Sequence, residues 1–140
     1  MVVNAVIERV ITSSSGGALT VQAPQRWVSP SRGEQSLVLM RSESSRRDFA
    51  VNTVVAIDSG PDELGIQVGR VDLDEGVEQR FSVLPGESDP IAQLSTTLTA
   101  GGRTASVVTS APSSRWLDLA DEVERIHASA RFVGSEEAAS

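Results

Sequence analysis

The chain has 140 residues, a formal net charge of −7, 39% hydrophobic residues and 22% charged, which fits one soluble globular domain. There is no Cys, and all 12 basic residues are Arg, so disulfides, thiolate metal sites, Schiff bases and a P-loop lysine are excluded. The acidic balance argues against general affinity for nucleic acid or anionic membrane, since phosphate contacts need local positive charge.

Met1 to Ile11 is apolar but interrupted by Asn4, Glu8 and Arg9. Its β-branched residues make helix and strand competing readings. It lacks the basic n-region of a signal peptide, and no stretch approaches the ~20 apolar residues of a membrane span. The sequence as it stands is therefore expected to be cytoplasmic, with a cell-envelope location if a signal segment has been removed. Residues 1–17 read as an N-terminal segment, 18–133 as one domain and 134–140 as a disordered polar tail.

Ala18 to Ala23 alternates with period two and stops at Pro24, as a strand should. Trp27 and Val28 follow, and Ser29 to Gly33 reads as loop. Ser36 to Ser42 is a second strand. Glu43 to Asp48 is a polar tip. Phe49 to Asp58 is the clearest strand, with Phe49, Val51, Thr53, Val55 and Ile57 on one side and apolar residues also on the other, so it is expected to be central and covered on both faces. Between Asp62 and Gln79 the apolar residues satisfy no single period, and Gly65, Gly69 and Gly76 oppose a long helix. Short strands around Ile66–Val71 and Gln79–Leu84 are the reading there. Ile91 to Thr99 and Arg103 to Ser110 form a hairpin across Gly101-Gly102.

Pro112 then opens an amphipathic helix running to Phe132. Trp116, Leu119, Ala120, Val123, Ile126 and Ala130 make its buried stripe. Ser113 or Ser114 is the expected cap, Asp118, Asp121 and Glu122 suit the positive end, Arg125, His127 and Arg131 the negative end, and Gly134 the stop. Strands linked as hairpins and followed by a covering helix predict an α+β domain with one antiparallel sheet.

Several stretches resemble the PsbP-like superfamily, and within it the actinobacterial LpqN-type proteins. They are Val21-Gln22-Ala23-Pro24-Gln25-Arg26-Trp27, the strand Phe49 to Asp58 with its internal Asn52, and the terminal helix from Arg115-Trp116-Leu117-Asp118-Leu119 through Glu124 to Phe132. The resemblance spans about Leu19 to Phe132. It implies an α/β/α sandwich with an antiparallel sheet of about six strands covered by helices. Its members act as extrinsic photosystem subunits, a Ran-binding import factor or lipoproteins, so it implies protein binding and brings no catalytic residues or cofactors.

The chemistry the residues permit is sparse. His127 is the single histidine and reads as a packed or half-exposed helix residue, with neither a Gly-x-Ser-x-Gly elbow nor the ligands of a zinc site to join it. Asp72-x-Asp74-Glu75-Gly76 resembles the start of a calcium loop, but Val83 stands where the closing glutamate belongs, so a solvated acidic turn is expected. Arg41, Arg46 and Arg47 cluster at a predicted hairpin tip, where they could bind an anionic partner or keep the turn soluble. Trp27 lines a surface pocket or caps one end of the core. These four residues are the candidate binding set; no catalytic residue, metal or cofactor is expected. The function so implied is a non-enzymatic binding or accessory domain with a protein partner, and homo-oligomerisation through an uncovered sheet face is compatible with it. The alternatives are a small-molecule or lipid binder using a cavity between sheet and helix, and an enzyme using carboxylates and arginine alone.

Overall fold

A computed structural model describes residues 6–12, 18–24, 27–32, 36–41, 51–57, 66–74, 76–84, 90–100 and 102–133. Its elements are β1 (Val6–Thr12), β2 (Ala18–Pro24), β3 (Trp27–Arg32), β4 (Ser36–Arg41), β5 (Asn52–Ile57), β6 (Ile66–Asp74), β7 (Val77–Leu84), β8 (Ile91–Ala100), β9 (Arg103–Pro112), a 3-10 turn (Ser113–Arg115), α1 (Trp116–Ser129) and β10 (Arg131–Val133). Among the described residues, the strands form a seven-stranded antiparallel sheet in the order β3-β4-β5-β9-β8-β7-β6 and a three-stranded one in the order β1-β2-β10. The α+β class and antiparallel sheet expected from the sequence are present, with seven strands in the main sheet rather than about six.

Register explains which residues meet. Thr53 lies opposite Thr109, Val55 opposite Val107 and Ile57 opposite Ala105, while Leu37 and Leu39 of β4 lie opposite Val55 and Thr53. Opposite residues in an antiparallel pair share a face, so these side chains form one apolar floor, and all of them are buried. Leu19, Val21 and Ala23 of β2 and Leu119, Val123 and Ile126 of α1 close it from above. Each large apolar side chain buried here contributes roughly 1.5–3 kcal/mol. β5 is central as expected; on its other face Val54 is 37% exposed, while Ser106 and Ser110, opposite Ala56 and Asn52, are buried.

The turn between β6 and β7 uses glycine at Gly76, whose φ of +79° lies in the left-handed region. Its carbonyl accepts the Thr99 amide at 2.8 Å, and a Cβ placed on Gly76 would collide with the Thr99 carbonyl oxygen. Gly102, with φ +77°, has open space around it. Gly76→Ala is therefore expected to cost more than Gly102→Ala: the second carries only the ~1–2 kcal/mol of left-handed strain, the first adds a backbone clash. Equal urea midpoints for the two variants would contradict this.

Several local expectations are corrected. Residues 29–32 are part of strand β3 rather than loop. Pro30 is tolerated because β3 is an edge strand with a register shift between Val28 and Ser31, where no ladder amide is required. Of the two readings open for the N-terminal segment the strand is the one present, β1, paired along its length with β2. The helix begins after a 3-10 turn with Arg115 at its cap and no side-chain cap bond, so neither Ser113 nor Ser114 plays the capping part. It also stops at Ser129, because Ala130 is extended (φ −66°, ψ 127°) and residues 131–133 pair with β2. Ser129 secures that end: its hydroxyl lies 2.7 Å from the Ile126 carbonyl and accepts the Gln22 amide at 2.7 Å. The polar tip 43–48, Phe49, Gly134 and the tail 134–140 lie outside the described residues.

Candidate functional site

α1 presents Leu119, Val123 and His127 at four-residue spacing, one ridge of the helix, with Ile126 beside it. The ridge lies along β2 and β9. At the start of the helix Trp116 meets Phe81 of β7 edge to face, with centroids 5.2 Å apart and planes at 79°, a geometry that suits the ring quadrupoles. At the other end of the ridge an apolar side chain would be the plain choice. The chain has His127 there instead, 2% exposed.

The imidazole sits between two threonine hydroxyls. Nδ1 is 2.7 Å from Thr96 Oγ1 on β8, and Nε2 is 2.8 Å from Thr109 Oγ1 on β9. Thr109 continues to Thr53 of β5 at 2.6 Å, and Gln79 of β7 donates its amide N–H to Thr96 at 3.1 Å. The result is a hydrogen-bonded row from β7 through β8, the helix and β9 to β5. Thr53, Thr96 and Thr109 are all buried, and a buried polar atom left without a partner costs ~1–3 kcal/mol. Closing the row satisfies the ring nitrogens and each hydroxyl together.

Thr96 Oγ1 accepts from the Gln79 amide. In the neutral ring one nitrogen donates to its threonine and the other accepts from its own. Burial pushes the His127 pKa down from 6.5 to about 3, because a charged ring would be taken out of water with nothing to balance it. His127 is therefore no cation for the helix terminus, contrary to the dipole role the sequence implies.

Chemically the row is closed. A triad requires an imidazole oriented by a carboxylate and open to a substrate; this ring is held by hydroxyls and shielded from water. On the opposite face of the sheet Glu78 and Arg80 form a part-exposed ion pair, of the kind worth under ~1 kcal/mol. Among the described residues no group of His, Asp and Glu could hold a metal ion, and no helix is long and apolar enough to cross a membrane.

The residues expected to bind a partner are distributed differently. Trp27 is fully buried and belongs to the core, so its indole lines no surface pocket. Arg41 ends β4 directly opposite Trp27 in the ladder. Arg46 and Arg47 lie outside the described residues. What the sequence reading missed is the set of threonines around His127. One signal was present: Thr53, Thr96 and Thr109 each occupy an otherwise apolar face of their strand, which is where the partners of a lone buried histidine must come from.

No protein-family model matches this chain, and no curated protein does. Its fold is nonetheless shared with solved structures. The cyanobacterial PsbP (CyanoP) of Synechocystis sp. PCC 6803 is similar with a TM-score of 0.59 at 13% identity, over 94% of this chain and 94% of that one. LpqN of Mycobacterium tuberculosis, described as involved in cell envelope biogenesis, is similar with a TM-score of 0.60 at 12% identity, over 93% of this chain and 92% of that one. A structure from Bacteroides thetaiotaomicron VPI-5482 gives a TM-score of 0.59 at 13% identity; it covers 85% of this chain, which spans about half (46%) of that one. The chain thus has the PsbP-like fold, as the sequence resemblance implied.

Proposed function

We propose that this chain is a non-enzymatic accessory domain that works through protein contacts on its surface. The observation carrying this reading is the commitment of its imidazole. With one His, no Cys and no Lys, the side chain suited to acid–base work near neutral pH is His127, and it is spent inside the fold on Thr96 and Thr109. The likeness to CyanoP and LpqN over nearly the whole of each solved chain supports the same reading. The description of LpqN supports an envelope-related setting over a cytoplasmic one.

The contact surface we assign is the arginine cluster, Arg41 with Arg46 and Arg47, whose guanidinium groups suit carboxylates on a protein partner. The test is affinity purification of the tagged chain from its native extract, beside the triple variant Arg41→Glu, Arg46→Glu, Arg47→Glu. The wild type is expected to recover a partner that the variant loses at least tenfold, with an unchanged melting temperature. Recovery of the same partner by both chains refutes the arginine assignment; recovery of none by the wild type refutes the accessory reading itself.

A further inference from the structure

We propose that the C-terminal segment from Ile126 to Val133 is an acid-released latch, held shut by the neutral ring of His127 between Thr96 and Thr109. The slot offers the ring hydroxyls and no counter-charge. Nδ1 faces a hydroxyl that already accepts from Gln79, and Nε2 faces a hydroxyl that bridges to Thr53. A second proton on the ring has no anion to meet. Among the described residues β2, β5 and β8 carry no titratable side chain at all. On β9 there is Arg103, at the far end of the strand from Thr109. On β7 Glu78 and Arg80 pair with each other on the other face. On α1 the half-buried Glu122 lies more than one turn toward the helix start, Glu124 and Arg125 are exposed, as is Arg131 of β10, and Arg115 stands at the opposite end of the helix. The ring therefore takes up a proton far more readily outside its slot than in it, as its depressed pKa also implies.

Withdrawal of the ring does not need the whole domain to open. Behind it lie the last helical turn and β10, an edge strand of three residues paired with β2 at Ala18 to Thr20. The other ties are the Ser129 hydroxyl contacts with Gln22 and Ile126. Short edge elements of this kind open at lower free energy than central strands. The seven-stranded sheet keeps every pairing when they leave, and the released edge of β2 is uncovered.

Amide exchange on the full chain, corrected for intrinsic rates, tests this. Between pH 6.5 and 5 the protection of residues 128–133 is expected to fall roughly fifteenfold, the consequence of one proton bound on opening by a ring whose ordinary pKa is 6.5, while β8 and β9 keep theirs. In His127→Gln, which carries no titrating ring, the segment's protection should be flat with pH. A parallel fall of β8 and β9, or an equal fall in His127→Gln, overturns the latch. Nitrogen-15 shifts of the wild-type ring decide independently of the variant: an imidazole that stays neutral wherever residues 128–133 remain protected supports the proposal, and one that charges while they are protected ends it.

Discussion

Trp27→Ala is expected to destabilise the protein by about 3–5 kcal/mol, the range for removing a large aromatic side chain from a packed core. Trp27 has no exposed surface and packs in the cluster that joins β2, β4 and α1. Its position amplifies the effect. β3 is an edge strand, broken by a register shift and carrying Pro30, so its ladder to β4 is weak; the indole is what anchors it. Val28, the next residue, points to the other face and is 43% exposed, so Val28→Ala should change stability by no more than ~0.5 kcal/mol. Equilibrium urea unfolding of both variants makes the comparison. A Trp27→Ala loss below about 1 kcal/mol would mean the indole is not packed as the structure has it, and a surface role would return.

Where the period of the side chains is uninterrupted, the sequence was a sufficient guide. β5, β8 and β9 alternate cleanly, Gly101-Gly102 marks the turn of a hairpin, and the Leu119–Val123–Ile126 stripe announces the helix. The reading weakened where pairing itself is irregular. β6 slips register between Gln67 and Gly69 and again between Asp72 and Asp74; each slip moves side chains to the opposite face, so residues 62–79 satisfied no period although most of them are strand. Residues 29–32 of β3 read as loop because Pro30 and its serines carry the composition of one, and an edge strand tolerates that composition. β10 has three residues, too few to show any period.

The row through His127 was hidden for a different reason. Its members are 18, 31 and 56 residues apart along the chain, and only the β5–β9–β8 register brings Thr53, Thr109 and Thr96 beneath the helix. A sequence shows that each threonine sits on an apolar face; it does not show that the faces align. The same distance in sequence makes the row informative about specificity. A helix shifted by one turn on this sheet would strand the buried imidazole without its partners, so the row sets one seating of α1 among those that apolar burial alone would allow.

The sharpest consequence is a reversal of stability with pH in His127→Leu. At pH 7 the wild-type ring is neutral and makes a hydrogen bond from each nitrogen; leucine fills similar space but forfeits both. Thr96 keeps its bond from Gln79 and Thr109 keeps Thr53, so neither hydroxyl is orphaned, and the loss is about 2 kcal/mol, two hydrogen bonds of ordinary net worth. Acid changes the balance. The folded-state pKa is lowered from 6.5 to about 3, so below pH 6.5 the unfolded chain binds a proton that the folded chain refuses. Wild-type stability is full above 6.5 and falls by about 1.4 kcal/mol per pH unit until the folded-state value is reached. The leucine variant has no such term. Carboxylates titrate alike in both chains and cancel in the difference. The two stabilities should therefore cross near pH 5, with His127→Leu less stable at pH 7 and more stable at pH 4. Urea melts at both pH values measure this directly, and a variant that stays weaker than the wild type at pH 4 would show that the buried ring carries no proton penalty.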